Sequence, residues 1–328
     1  MNTSDSLRLS LKKTLAYFDL ANFPLTKEEL YNFLWEPPDF AKASTGKPTT
    51  SYSDFLLSLS EIKMPIVEKS GYYFLSGREE LIETRRRRLL ISENKLKIAR
   101  RAARIVRSVP FLKAIFVCNT VGSEQATEDS DIYFFIVTEK NRIWIVRLWV
   151  TFLLGLFRLR RVNNRIKNKI CLSFYVTADS LNLANLRVID DDIHFAYWIN
   201  QMLPIFDPEN FYAKFLQANN WTKKYLPNID SKKMTSYIFH ITESRLGKFW
   251  KGAWEKMWTG AYGDMINGEA KKIQISKMRF SGKKIDRGND KGVVITDQVL
   301  KFHEKDTRLE YREAWLNKIN VIPTEGLA

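Results

Sequence analysis

The sequence predicts an α+β protein: a helical start ending in a hairpin, a central mixed sheet with packed helices, and a helical C-terminal part. Three observations carry this expectation. The first 77 residues hold three helix-like periodicities and then two short β-type runs. Between Leu112 and Val176, three apolar runs of strand length alternate with a polar loop and an apolar helix. Beyond Asp190, aromatic residues recur at helical spacing. At 328 residues, 45% hydrophobic and 27% charged, the chain has a globular composition and can bury a sizeable core. Its patterning divides it into 1–77, a basic connecting helix at 78–110, a core at 111–190, a helical region at 191–265 and a basic loop with a strand–helix tail at 266–328.

In the first part, Leu7, Leu11, Leu15 and Phe18 share a helix face that ends at Asn22-Phe23-Pro24. Thr26 through Glu29 reads as a capping box, in which a threonine hydroxyl and a glutamate satisfy each other's free backbone N–H groups. It opens a short helix through Leu30, Phe33 and Leu34. A polar loop follows from Glu36 to Thr50, then a helix from Ser53 to Ile62 with Phe55, Leu56 and Leu59 on one side. Ile66–Lys69, a Ser70-Gly71 turn and Tyr72–Leu75 complete a hairpin. The next stretch, Arg78 to Ser108, is a long helix with Leu96, Ala99, Ala103 and Val106 on one face. Arg100, Arg101, Arg104 and Arg107 fall on the other, as a solvated face or as an electrostatic funnel toward the loop at 119–131.

Leu112–Cys118, Ile132–Val137 and Ile170–Val176 are the three predicted core strands. The apolar run Ile143–Phe157 between the last two is shorter than the roughly 20 residues a span requires and contains Arg147. It reads as a buried helix with a basic exit at Arg158, Arg160 and Arg161, against a surface-lying amphipathic anchor. Trp198, Leu203, Phe211, Phe215 and Trp221 are expected core residues of the helical region, and Phe249–Trp258 a packing helix. Gly268–Gly292, with eight Lys and Arg against three acids, reads as loop. Val293–Leu300 follows as a strand, with a turn at Phe302-His303, and Asp306–Ile319 as a last helix.

The balance of 52 Lys and Arg against 37 Asp and Glu gives a net charge of +15, a field that favours polyanions or is simply a soluble cationic surface. Cys118 and Cys171 sit in apolar runs, and His194, His240 and His303 lie far apart, so no zinc-ligand spacing exists. No apolar run follows the N-terminal charges, so no secretory signal is expected, and a reducing cytoplasm fits the cysteine usage.

The segment from Ala114 to Val137, AIFVCNTVGSEQATEDSDIYFFIV, carries the chemistry. It resembles the core motif of minimal nucleotidyltransferases of the polymerase-beta-like superfamily: an apolar strand, a Gly-Ser pair, a polar loop, then Ser-Asp-Ile-Asp entering a second strand. The resemblance implies an NTP partner, Mg²⁺ as cofactor and transfer of a nucleoside monophosphate to an acceptor, or a degenerate member that keeps only the fold. In the family's arrangement two aspartates spaced by two hold the metal, which polarises the α-phosphate. Here Ser130-Asp131-Ile132 stands in place, but Tyr133 occupies the second aspartate position. The Gly-Ser position falls on Gly122-Ser123 or, at the expected spacing, on Asn119-Thr120. The third carboxylate is missing from Cys171–Val176, where Ser173 stands, and Asp179 is the nearest acid beyond it. Three readings follow: a degenerate member that binds nucleotide, an active one chelating metal through Asp129 with Asp131, or an Asp131 that is only a polar residue at a strand start.

Three helices and a hairpin at the N-terminus resemble a winged helix-turn-helix. Its presumed recognition helix carries Asp54, Ser58, Ser60 and Glu61 and no arginine or lysine before Lys63, so sequence-specific base readout is not expected. A second class of function stays open beside the enzyme: a module that binds nucleic acid, without sequence preference, or protein.

Overall fold

The computed structural model describes residues 3–37, 51–62, 64–162, 165–230, 240–280, 291–303 and 306–323. The three expected core strands, β4 (Leu112–Cys118), β5 (Ile132–Thr138) and β6 (Ile170–Thr177), lie side by side in one sheet. β4 and β5 are antiparallel, with Phe116 opposite Phe135. β5 and β6 are parallel, with Ile132 opposite Ile170 and Thr138 opposite Thr177. The parallel pair needs a crossover, and α6 (Ile143–Leu156) supplies it.

Period-two alternation divides β5 between two cores. Ile132, Phe134 and Ile136 face a layer made by α4 (Leu81–Val106), α6 and a later helix, through Leu96, Ala99, Trp144 and Val150. Phe135 and Val137 face the opposite layer, α7 (Ile193–Asn200) and α8 (Phe211–Ala218), through Phe195, Ile199 and Phe215. Each fully buried aromatic or branched side chain contributes about 1.5–3 kcal/mol. Asp192 starts α7 by accepting from the Phe195 backbone N–H at 3.1 Å.

The sheet is wider than expected. β7 (Leu203–Phe206) adds to β4 on the outside, where Leu203 had been expected in a helix. Pro204 lacks a backbone donor, and an edge position tolerates that. On the other side, β8 (Val293–Ile295) and β9 (Val299–Phe302) form a hairpin rather than one strand, giving the order β7-β4-β5-β6-β9-β8.

The first part holds α1 (Thr3–Leu20), β1 (Leu25–Thr26), α2 (Lys27–Asn32), α3 (Tyr52–Glu61), β2 (Ile66–Lys69) and β3 (Tyr72–Leu75), with sheet order β1-β3-β2. The capping box forms as predicted: Thr26 Oγ1 accepts from Glu29 N at 3.2 Å and Glu29 accepts from Thr26 N at 2.8 Å. On α3, Phe55 is buried, Leu56 and Leu59 are half-buried, and Asp54 and Glu61 are exposed. From residue 38 on, the expected polar loop lies outside the described residues. The core of this part is shared, since Leu11, Phe18 and Trp35 pack with Tyr197, Leu226 and Trp315.

The C-terminal part holds α9 (Arg245–Met257), α10 (Gly260–Phe280) and α11 (Arg308–Val321). α10 corrects the loop expected from Gly268 onward: Ala270, Gln274 and Met278 recur every four residues and are buried against the core. Its lysines and Gly268 suggested a loop, yet lysine is a good helix former, and one half-buried glycine costs only about 1 kcal/mol. Residues 281–290 of that expected loop lie outside the described residues. Among the described residues no helix is long and apolar enough to cross a membrane.

Candidate functional site

β4 ends in a sharp turn into the short helix α5 (Asn119–Gly122), and the turn holds Asn119 at φ +57°. After glycine, asparagine tolerates this left-handed region well, so the backbone takes a glycine-like corner here. The Asn119 side chain is fixed by Trp198, whose Nε1 donates to Oδ1 at 2.7 Å. Thr120 is exposed beside it. Gly122 does different work. A Cβ there would sit 2.8 Å from the Val117 carbonyl and 3.0 Å from that of Gln201, so the glycine permits a close backbone crossing. Ser123 turns its hydroxyl back to the Asn119 carbonyl at 3.1 Å.

Three side chains of α4 hold the following loop. Arg85 pairs with Glu124 at 2.8 Å, and Ser92 Oγ accepts from the Ala126 backbone N–H at 3.4 Å. Lys95, 2% exposed, donates to the carbonyls of Glu128 (3.0 Å) and Ser130 (2.8 Å) and to Asn168 Oδ1 (2.8 Å). Of the four cations weighed as a funnel or a solvated face, Arg107 is the farthest from these anchors along the helix. Arg107 is twelve residues past Lys95, about 18 Å along the helix, and donates to the Thr242 carbonyl; Arg101 and Arg104 are exposed. The loop is anchored by buried polar groups instead.

Ser130 closes a turn, its Oγ accepting from Thr127 N at 3.0 Å, and Asp129 is exposed in that turn. β5 begins only at Ile132, so Asp129 and Asp131 do not alternate along a strand as expected. Asp131 is 7% exposed, and its carboxylate accepts from Arg161 Nη1 at 2.6 Å. Arg161 reaches it because the chain after α6 runs against β6, with Arg161 N donating to the Ile170 carbonyl at 2.9 Å. Burial raises the pKa of the nearby Tyr133 hydroxyl far above that of free tyrosine. Tyr133 is half-buried and lies parallel to His303 at 5.7 Å.

On β6 the partner of Tyr133 is Cys171, and a register shift follows before Phe174. Ser173 is buried beside Cys171, and burial raises the thiol pKa of both Cys171 and Cys118, leaving them protonated. Asp179 does not replace the missing carboxylate. The strands are parallel and Asp131 lies at their start, so Asp179 sits at the far end, about 20 Å away, bonded to Thr177 (2.7 Å) and Lys140 (3.3 Å). Among the described residues no group of three or more His, Cys, Asp or Glu could hold a metal. The donor set does not fit Mg²⁺, which needs hard oxygen ligands converging on one point. A guanidinium already neutralises Asp131, the one buried carboxylate among the described residues between Ala114 and Val137.

Above Tyr133 the sheet face opens into a cleft of about 240 Å³ lined by Asn119, Tyr133, Phe174, Trp198, Lys301 and His303. An adjoining hollow of about 210 Å³ shares Asn119 and Trp198 and adds Thr120, Ser123 and Tyr311. Burial pushes Lys301 down to about 8 and His303 down to about 4. The cations at the mouth are paired: Lys301 lies 3.5 Å from Asp306, and Arg308 bonds Asp306 at 2.6 Å and Asp192 at 2.8 Å. Rings and polar donors dominate the wall.

The chain matches no known family model, no curated protein and no solved structure.

The structure thus sets Asn119 and Tyr133 in the cleft and Thr120 and Ser123 in the adjoining hollow, holds Asp131 in an ion pair, and leaves Asp129 in solvent. Lys95 and Arg161 were missed from sequence. Lys95 had a signal, since it falls on the apolar stripe with Ala99, Ala102 and Val106 at helical spacing. Arg161 had none, because only the crossover brings it to Asp131.

Proposed function

We propose that this protein is a nucleotidyltransferase-like protein that has lost metal-dependent transfer and keeps its cleft as a nucleotide-binding site. The carrying observation is the Asp131–Arg161 pair at 2.6 Å, an internal cation on the only buried carboxylate of the motif. Three further features support the family reading. The strands β4, β5 and β6 lie side by side in one sheet, as the motif's strand–loop–strand reading expects, Asn119 holds a left-handed corner, and Asn119 and Tyr133 line one cleft. Tyr133 and Trp198, both half-buried on the cleft wall, offer ring surface to a planar base, and a base needs no metal to stack. The helix–strand–helix–helix–strand–strand order of the first part supports the winged-helix resemblance, while the acidic, inward-packed α3 supports a packing or protein-contact role for it.

The test is isothermal titration of a non-hydrolysable NTP with and without Mg²⁺, on wild type, Tyr133→Asp and Asp131→Asn. Wild type is expected to bind equally in both conditions and to transfer nothing. Tyr133→Asp, with two carboxylates spaced by two, is expected to add a metal-dependent component. Binding by wild type that requires Mg²⁺ and disappears in Asp129→Asn would establish the rearranged pair instead. No binding by any variant removes the nucleotide and leaves the module reading.

A further inference from the structure

The helical layer over the sheet turns large apolar side chains outward. Leu246, Phe249 and Trp250 of α9 are 84%, 79% and 55% exposed, and Phe152 and Leu156 of α6 are 57% and 65% exposed. Single exposed hydrophobes are ordinary, but a contiguous set marks a contact surface. Contiguity is visible in a ladder of rings. Trp250 meets Trp254 at 5.4 Å, Trp254 meets Trp258 at 4.6 Å, Trp258 meets Trp149 of α6 at 6.5 Å, and Trp149 meets Phe152 at 6.0 Å. An apolar cleft of about 200 Å³ opens between these indoles and the end of α4.

Charge says what covers this face. From Arg245 to Phe280 the chain has eight Lys and Arg against three acids. Those acids are engaged: Glu255 accepts from the Phe111 backbone N–H at 2.7 Å, Asp264 pairs with Arg142, and Glu269 pairs with Lys272. Lys248, Lys256 and Lys277 stay exposed. At about 100° per residue, Lys256 lies next to Phe249 at one edge of the α9 sector that carries Leu246, Phe249 and Trp250, and Lys248 lies further round on the same side. A second copy docked on this face would carry the same excess of exposed cations and offers them no counter-charge. An anionic bilayer is complementary, with phosphates for the lysines and the headgroup boundary for the indoles. No described helix is long and apolar enough to span, so α6 and α9 would lie in the surface plane.

We propose that the α6–α9 face docks on anionic lipid bilayers, with the Trp ladder at the headgroup–acyl boundary and Lys248 and Lys256 on the headgroups. The test is flotation of the full chain with vesicles of phosphatidylcholine alone and of phosphatidylcholine mixed with phosphatidylglycerol. Wild type floats with the anionic vesicles and less with the neutral ones. Phe249→Ser with Trp250→Ser lowers partitioning at least about tenfold, and Lys248→Gln with Lys256→Gln lowers it about tenfold on anionic vesicles only. Tryptophan fluorescence of wild type is quenched by brominated acyl chains, a readout that needs no variant. Absence of both flotation and quenching, or a double apolar variant that floats like wild type, overturns the proposal. A concentration-dependent dimer abolished by the apolar double variant, with no flotation, gives the face to a second copy.

Discussion

Replacing Arg161 by glutamine strands the Asp131 carboxylate, and the structure sets the size of the effect. The two groups lie 2.6 Å apart, but their surroundings differ: the Asp131 side chain is 9% exposed and that of Arg161 36%. A hydrogen bond between charged partners contributes about 1.5–3 kcal/mol, and water at the exposed guanidinium reduces the mutual coupling to about 1–2 kcal/mol. The asymmetry is the sharper expectation. Arg161→Gln leaves a buried carboxylate without its partner and costs about 2–3 kcal/mol. Asp131→Asn leaves a guanidinium that turns to solvent and costs about 1 kcal/mol. Urea unfolding at pH 7 of wild type, both single variants and the double variant closes the cycle. A carboxylate kept free for a cation would behave in the opposite way, since neutralising it would stabilise the protein. A coupling below about 0.3 kcal/mol, or an Asp131→Asn cost above that of Arg161→Gln, refutes the reasoning.

Two further outcomes follow from groups around the same site. Lys95→Met removes the donor for three acceptors at 2.8–3.0 Å and is expected to cost about 3 kcal/mol or more and to speed amide exchange over residues 124–130; unchanged exchange there would separate the lysine from the loop. His303 is held neutral down to about pH 4, while an unfolded histidine takes its proton near 6.5. The contribution is therefore complete above pH 6.5 and is lost as pH falls toward 4, by up to about 3 kcal/mol. His194, also lowered by burial, adds in the same direction. His303→Phe should flatten the urea-midpoint profile in this window, and an unaltered slope would count against the burial assigned to this ring.

Local patterns carried the elements that are locally determined. The capping box at Thr26–Glu29, the Ser70-Gly71 hairpin and the alternation of β5 each depend on neighbours within a few residues, and each was legible. β7 was not, because four residues with a proline become a strand only by pairing with β4, more than eighty residues earlier. α10 was misread because lysine and glycine content suggested a loop, when the four-residue recurrence of Ala270, Gln274 and Met278 decided the matter. At the site the motif's positions were legible, but not what occupies them. Asp131 and Arg161 are thirty residues apart, and no periodicity links them; only the parallel crossover does.

Arg85 gives the N-terminal part a consequence beyond packing. Its guanidinium, 4% exposed, lies 3.7 Å over the Phe23 ring and bonds Glu29 at 2.7 Å on one side and Glu124 at 2.8 Å on the other. Glu29 is the same residue that closes the capping box of α2, so the start of that helix, the long helix and the loop beside the cleft share one charged rivet. Pulling either half away leaves a buried cation with half its counter-charge, at a cost of about 3–5 kcal/mol. The N-terminal part is thereby denied the freedom of a tethered accessory. Urea unfolding followed in both parts is expected to give one transition rather than two, with α2 tied through Arg85 to the loop at Glu124.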